Sequence, residues 1–295
     1  MFKELNAKLV CKFILLGLIF TSLSISIINS LFEAHVTSSQ QQKLCIPIIM
    51  YHQVKNGGFG KDVISPYEFE NDLKYLSENN YNTITMNQLI DYVYDNKELP
   101  QNPIILTFDD GYLSTYKYVF SLLKKYNMKI VLSIIGISTD NFSKVFDDNI
   151  NYAHMTWDQV KEMESSGYAE IQNHTYNLHS TCNKRIGCKQ VINESMEDYE
   201  KLLIEDLTEL QEKIKVVTGR TPNTFVYPYG VCSENTELII KELGFKATLS
   251  CDFGVNLITK NHDKLFGLKR ICRSHNQSIN KMIKEGMKTL KYINE

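Results

Sequence analysis

The sequence has no excess of basic residues. It contains 32 Lys and Arg against 34 Asp and Glu, so its formal net charge is −2. A protein that binds the phosphate backbone of a nucleic acid needs a basic stripe or patch on its surface. We therefore expect no nucleic-acid partner.

The sequence also lacks the cysteine pairs of a zinc ribbon. None of its seven cysteines forms a C-x-x-C pair, and no internal repeat or low-complexity tract is evident. Cys182 and Cys188 are spaced to close a small disulfide loop. Free thiols that pack as small hydrophobic groups are the alternative, and the sequence leaves both open.

The first 36 residues differ from the rest of the chain. Residues 13–32 are apolar apart from Ser, Thr and one Asn, and Lys3, Lys8 and Lys12 precede them. About 20 apolar residues can cross a bilayer as a helix, and the lysines would keep the N-terminus in the cytoplasm. A cleaved secretory signal is the alternative, but the run is longer than a usual signal core and no clear cleavage site follows it.

These patterns predict three regions along the chain. Residues 1–36 are expected to form a cytoplasmic tip and a signal-anchor helix, and residues 37–45 a polar stalk. Residues 46–295 are expected to form an extracytoplasmic domain. The protein would then be a single-pass protein of the cell membrane, or a secreted one if the N-terminal segment is cleaved.

Strand-like and helical patterns alternate beyond residue 45. This alternation predicts an α/β fold with a parallel sheet and crossover helices. The predicted strands cover residues 46–51, 104–108, 130–135, 169–173, 224–227 and 247–249. The predicted helices cover residues 66–79, 116–126, 157–165, 195–217 and 234–243. In a parallel α/β barrel the C-terminal strand ends share one face, which carries the active site.

Two adjacent carboxylates follow one of these strands, in the pentad Thr107-Phe108-Asp109-Asp110-Gly111. An Asp-Asp-Gly run by itself is usually a turn or a helix N-cap. Burying two anions costs several kcal/mol per ion unless a partner compensates them. A metal cation is such a partner. If a cation binds here, other residues of the chain must supply its remaining ligands.

Two histidines follow a later strand. His174 and His179 are five residues apart, a spacing that suits a loop better than one face of a helix. One Asp and two His are a ligand set that suits zinc and leaves a fourth position open. The sequence therefore predicts a divalent metal site, with Zn²⁺ as the expected ion, formed by His174, His179 and one of the two Asp residues of the pentad.

These motifs resemble those of the polysaccharide deacetylase family, the NodB-homology carbohydrate esterases. The resemblance includes the pentad, the His-Thr motif with its second His, and Tyr227-Pro228-Tyr229-Gly230, and it extends from about residue 46 to residue 279. The five-residue His spacing is similar to that of the poly-N-acetylglucosamine deacetylase branch. The resemblance implies a distorted (β/α) barrel of about seven parallel strands.

The resemblance also implies roles for individual residues. Asp109 would be the catalytic base, and Asp110 would bind the metal together with His174 and His179. The backbone N–H of Tyr229 would stabilise the oxyanion. Tyr227 stands where the family often has an Arg that orients the base, so this motif supplies no fixed positive charge. Ile271 stands where the family has the His that protonates the leaving amine, which leaves His275, His52 or a coordinated water as candidates.

The resemblance implies an enzyme that removes N-acetyl groups from N-acetylglucosamine units of a cell-surface or cell-wall polysaccharide. Its partner would be an acetylated glycan polymer. Two alternatives remain open at this stage. One is a polysaccharide O-acetyl esterase, and the other is a glycan-binding module whose late motifs have degraded.

Overall fold

Parallel strands form a closed barrel in this protein. The structure is a computed structural model that describes residues 21, 24–26, 44–182 and 184–292. The chain divides into two units, Met1–Gln42 and Lys43–Glu295, and the barrel belongs to the second. The strands are β1 (Leu44–Ile46), β2 (Ile48–Tyr51), β3 (Gln53–Val54), β4 (Val63–Ile64), β5 (Asn82–Thr83), β6 (Pro103–Phe108), β7 (Ile130–Ile134), β8 (Ala169–Asn173), β9 (Thr224–Val226), β10 (Ala247–Phe253), β11 (Asn256–Ile258) and β12 (Leu268–Cys272).

Seven of these strands close the barrel in the order β2, β6, β7, β8, β9, β10 and β12. Each neighbouring pair is parallel, and the pairing of β2 with β6, in which Ile48 lies opposite Ile105, belongs to this closed ring. The register between β10 and β12 shifts between Leu249 and Phe253, so the barrel is irregular on that side. The predicted distorted barrel of about seven parallel strands is confirmed.

Helices surround the barrel. They are α1 (Pro66–Glu78), α2 (Met86–Tyr94), α3 (Phe120–Tyr126), α4 (Gly136–Lys144), α5 (Trp157–Ser165), α6 (Met196–Thr218), α7 (Thr236–Glu242) and α8 (Ile279–Lys288). A π-helical turn, Thr115–Val119, precedes α3, and short 3₁₀ helices cover Pro228–Gly230, His262–Leu265 and Thr289–Tyr292. At α1 the Ser65 side chain caps the first turn while Glu68 bonds back to the Ser65 backbone, and this reciprocal pair fixes where the helix begins.

Both faces of the central strand β6 are buried. Leu106 and Phe108 belong to the cluster that includes the α1 side chain Phe69. The intervening Ile105 belongs instead to a second cluster, with Val131 of β7. A strand buried on both faces has a continuous apolar sequence, which is why this segment could be predicted from sequence.

Two expectations concern the ends and the cysteines. Apart from residues 21 and 24–26, the predicted anchor at 13–32 lies outside the described residues, as does nearly all of the stalk. No helix in the described ranges is long and apolar enough to cross a membrane. The limits of the three predicted regions therefore stay predictions.

The cysteines form no disulfide within the described part of the chain. Six of them are free thiols there, including the pair Cys182 and Cys188.

Candidate active site

A left-handed turn at the end of β6 separates the two acidic side chains. Asp110 has φ 72° and Gly111 has φ 77°. A Cβ atom at Gly111 would lie 3.0 Å from Cγ2 of Ile134, so glycine satisfies both the backbone angle and the close approach. His154 supports the turn, because its Nδ1 lies 2.9 Å from the carbonyl oxygen of Asp110. Asp109 and Asp110 are consequently buried in different surroundings.

Asp110 faces the two predicted histidine ligands. Its Oδ1 lies 3.5 Å from Nε2 of His174 and 3.3 Å from Nε2 of His179. One ligand atom from each of the three residues lies within 4.8 Å of the others. The structure therefore brings together the three residues that the sequence predicts as metal ligands, although the segments are more than 60 positions apart.

The hydrogen bonds around Asp110 and His174 leave atoms free to bind a cation. Nδ1 of His174 lies 2.8 Å from the carbonyl oxygen of Val226. An Nδ1–H that donates to this carbonyl leaves the Nε2 lone pair directed at Asp110, the usual arrangement of a metal-ligating His. Oδ1 of Asp110 is buried and receives no hydrogen bond from the described residues. An orphaned buried anion with two imidazole nitrogens beside it fits a divalent metal such as zinc.

The protonation states of His179 and Asp110 suit metal binding, whereas that of His174 would have to change. Burial favours a lower pKa for His174, but interaction with Asp110 and Asp109 outweighs it and raises that pKa, so a bound metal would displace a proton from His174. Burial and the neighbouring charge of His174 lower the pKa of His179 to about 4, so its imidazole is neutral at pH 7. Burial favours a higher pKa for Asp110, but interaction with His174, His52 and His179 outweighs it and holds that pKa below the usual range. A neutral imidazole and an ionised carboxylate are the forms that bind a metal.

Asp109 has a different partner, a buried arginine. Nη1 of Arg270 lies 2.8 Å from Oδ1 of Asp109. Arg270 is 1% exposed, and its Nε donates to the carbonyl oxygen of Ser250 at 2.7 Å. Burial favours a higher pKa for Asp109, but the charges of Arg270, His174 and His52 outweigh it, so the pKa lies below its ordinary value. Asp109 is therefore ionised at neutral pH.

Arg270 corrects one expectation from the sequence. With Tyr227 in the position of the family's usual Arg, we expected no fixed positive charge beside the base. The structure supplies that charge from β12, a different strand. The signal in the sequence was Arg270 itself, in a segment that departs from the family's last motif because Ile271 replaces the expected His.

The site opens into a cavity of about 250 Å³. Its lining includes Asp109, the three metal-ligand candidates, His52, Tyr112, Tyr227, Tyr229 and Cys251. Tyr227 is buried, whereas Tyr229 is 45% exposed and has φ 60°. The Tyr229 ring centroid lies 4.6 Å from that of His179, so this side chain forms part of the cavity mouth.

The two candidate proton donors lie in different places. His52 follows β2 and lines the cavity, and its Nδ1 lies 3.8 Å from Oδ1 of Asp62. His275 does not line this cavity. Its Nδ1 lies 2.8 Å from Oε2 of Glu68, and its ring stacks on Phe59 with the centroids 4.5 Å apart. The structure thus brings every predicted site residue except His275 to the cavity.

The barrel and its polar cavity define a class, the NodB-type (β/α) barrel with its site at the C-terminal ends of the strands. Residues 96–248 match the family described as polysaccharide deacetylase. The chain belongs to the polysaccharide deacetylase family. Its members are in general metal-dependent, and the triad of Asp110, His174 and His179 is the candidate metal site.

Several known proteins are similar to this chain. A poly-β-1,6-N-acetyl-D-glucosamine N-deacetylase of Escherichia coli K12 is 25% identical over 223 residues, which are 70% of this chain and 33% of that protein. The chain thus spans about a third of the length of this relative. A protein of the same name from Staphylococcus aureus MSSA476 is 24% identical over 68% of this chain and 70% of its own length.

A solved structure shares the fold. A de-N-acetylase from Aggregatibacter actinomycetemcomitans superimposes with a TM-score of 0.70 and 24% identity, covering 83% of this chain and all of the other. At this level of identity the likeness concerns the architecture alone. This architecture agrees with the closed barrel of parallel strands.

Proposed function

We propose that the protein is a Zn²⁺-dependent N-deacetylase of a β-1,6-linked poly-N-acetylglucosamine. The observation that carries this proposal is the cavity in which a buried, ionised Asp109 lies beside the Asp-His-His triad. The polymer is the one named for the similar proteins of Escherichia coli and Staphylococcus aureus. Deacylation of this polymer would yield acetate and a free amine on each processed sugar.

The residues of the chain divide the chemistry among them. A divalent cation held by Asp110, His174 and His179 would lower the pKa of a coordinated water and polarise the acetyl carbonyl. Asp109 accepts a proton from the attacking water, and Arg270 holds the Asp109 carboxylate in place and ionised.

The oxyanion and the leaving amine need donors. Tyr229 lines the cavity and has a left-handed φ of 60° between Pro228 and Gly230, and we assign its backbone N–H to the oxyanion. We assign protonation of the leaving amine to His52 and not to His275, because His52 lines the cavity whereas His275 bonds Glu68 outside it. Transfer of one proton to the amine nitrogen completes cleavage of the C–N bond.

A comparison of amide and ester substrates tests the reaction type. Purified protein with Zn²⁺ should release acetate from β-1,6-linked N-acetylglucosamine oligomers, and each acetate should appear with one new amine. Faster release from an O-acetylated glycan would favour the esterase alternative. Binding of the oligomer without acetate release from either substrate would favour a glycan-binding module.

We also propose that the domain works outside the cytoplasm and that residues 13–32 anchor it. The support is the apolar composition of this stretch and the three lysines before it. Protease added to intact cells should then degrade the domain. Protection of the domain in intact cells would contradict this location.

A further inference from the structure

The loop that carries both histidines is under backbone strain. We call residues 174–179 the ligand loop. Thr175 in this loop has φ 74°. A β-branched residue in the left-handed region is strained and persists only where its surroundings enforce it. The conformation that presents His174 and His179 therefore depends on contacts from outside the loop.

Asp206 makes two of these contacts. It lies on α6, is 8% exposed, and does not line the cavity. Its Oδ1 accepts a hydrogen bond from the backbone N–H of Tyr176 at 2.8 Å, and its Oδ2 accepts one from Asn177 at 2.7 Å. The two carboxylate oxygens thus bind the backbone N–H groups of two consecutive residues, which lie midway between the two histidines in the loop. Hydrogen bonds to an ionised acceptor are about twice as strong as neutral ones.

Further hydrogen bonds connect the ligand loop to α6 and to the end of β8, and we call this set of contacts, together with those of Asp206, the clamp. Asn173, the last residue of β8, donates from Nδ2 to the carbonyl oxygen of Leu207 at 3.0 Å. Its Oδ1 accepts from the N–H of Thr175 at 2.8 Å. On the opposite side the N–H of Gly136 donates to the Thr175 carbonyl at 3.1 Å. The ligand loop is held from both sides, and Asp206 is the charged member of the set.

We propose that Asp206 is a positioning residue that sets the affinity of the metal site through the backbone of the ligand loop. This inference rests on the proposed function, since it takes a metal ion to be bound by the triad. Without the Asp206 carboxylate the strain at Thr175 would relax and the spacing of the two imidazole nitrogens would change. Asp206 itself touches neither the ion nor the substrate.

The substitution Asp206→Asn tests the proposal. The amide has the same shape, but its NH₂ group would face a backbone N–H that needs an acceptor. We expect the affinity for Zn²⁺ to fall about 10- to 100-fold, as for other groups that orient metal ligands. Competition between the metal-free protein and a chelating dye for Zn²⁺ measures this affinity without any activity assay. Excess Zn²⁺ should restore kcat with little change in KM.

Glu170→Gln is the matched control. Glu170 is also buried, and it accepts hydrogen bonds from two consecutive backbone N–H groups, Met86 at 3.0 Å and Asn87 at 3.0 Å. These groups lie at the start of α2 and not on the ligand loop. This variant should lose stability and keep the wild-type affinity for Zn²⁺. An equal loss of affinity in both variants, or none in Asp206→Asn, would overturn the proposal.

Zn²⁺ binding by the wild type and by the variant distinguishes failure of the role of Asp206 from failure of the proposed function. A wild-type protein that binds no Zn²⁺ would refute the metal site itself, whereas normal binding in Asp206→Asn refutes only the role of Asp206. Hydrogen exchange of the metal-free wild type gives a readout that needs no variant. The amides of Tyr176 and Asn177 should exchange slowly, and rapid exchange would overturn the clamp.

Discussion

Neighbouring carboxylates have different partners in this site. Asp109 pairs with Arg270 at 2.8 Å, while Asp110 faces two imidazole nitrogens at 3.3 and 3.5 Å. A buried ion costs several kcal/mol unless a charge or hydrogen bonds compensate it. Arg270 compensates the first carboxylate, and a bound cation would compensate the second. These different partners support the proposal that Asp109 is the base and Asp110 a metal ligand.

Removal of the arginine should change the pH dependence of catalysis. Burial raises the pKa of Asp109 and Arg270 lowers it, so in Arg270→Gln the pKa should rise. Because the base works in its ionised form, the acidic limb of the kcat/KM profile should move to higher pH. Loss of one partner of a buried pair should also cost about 3–5 kcal/mol of stability. The pH–rate profile and a denaturation curve measure the two effects.

Arg273→Gln provides the control for this prediction. Arg273 is likewise buried, and its Nε lies 2.7 Å from Oδ2 of Asp72, outside the cavity. This variant should lose comparable stability with an unchanged acidic limb. An identical shift of the limb in both variants would mean that general destabilisation, and not the charge beside Asp109, explains the result.

The two histidines considered as proton donors should differ in their effect on turnover. His52→Gln should lower kcat by about 10²- to 10⁴-fold, the usual range for loss of a general acid or base. His275→Gln should leave kcat near the wild-type value, because His275 bonds Glu68 outside the cavity. Steady-state kinetics of both variants at equal metal content show which histidine protonates the leaving amine. A larger loss in the His275 variant would reverse it.

Sequence reasoning could identify local motifs but not long-range partners. Asp109, Asp110 and the two histidines stand directly after strands, so their common location followed from the alternation of strands and helices. Arg270 reaches Asp109 from 161 positions away. No local pattern encodes that pairing, since it depends on how β12 is aligned in the closed barrel.

At the scale of elements, the turn after β6 controls the site. Its left-handed residues Asp110 and Gly111 direct two successive side chains to different partners. The packing of Gly111 against Ile134 ties this turn to the end of β7. Small changes in the turn should therefore affect the metal site before they affect the barrel.

Gly111→Ala should lower the affinity for Zn²⁺ in addition to lowering the stability of the fold. The new Cβ would lie 3.0 Å from Cγ2 of Ile134, and φ 77° is unfavourable for alanine by about 1–2 kcal/mol. Gly167→Ala is the control, because Gly167 has φ 76° but no atom within 4 Å of a new Cβ. Both variants should lose stability in thermal denaturation, and only the first should lose Zn²⁺ affinity. Unchanged affinity in Gly111→Ala would contradict this view of the turn.

The sequence patterns predicted only some of the capped helices. The helix Met86–Tyr94 was not predicted, although Thr85 and Gln88 form a capping box at its start. The helix predicted at 157–165 is observed as Trp157–Ser165, where Thr156 and Gln159 form a capping box. The helix predicted from residue 116 begins instead with the π-helical turn Thr115–Val119. The strand Leu268–Cys272 was missed because two charged residues interrupt its apolar sequence, although one of them, Arg270, donates a hydrogen bond to Asp109.

At the scale of the whole molecule, closure of the barrel assembles the site. Strand ends from β2, β6, β8 and β9 bring His52, Asp109, the ligand loop and Tyr229 around one cavity. The fold class and the shared face followed from the sequence. The strand order and the register shift between β10 and β12 did not, because they arise from pairings between distant segments.

The most direct test of the account is acetate release by wild type and Asp109→Asn at equal Zn²⁺ content. The substrate is an oligomer of β-1,6-linked N-acetylglucosamine, and acetate and new amines are counted together. The wild type should release both products in equal amounts. The variant should be slower by about 10²- to 10⁴-fold, because the amide cannot accept a proton. A zinc-loaded wild type that releases no acetate, or a variant as fast as the wild type, would contradict the proposed mechanism.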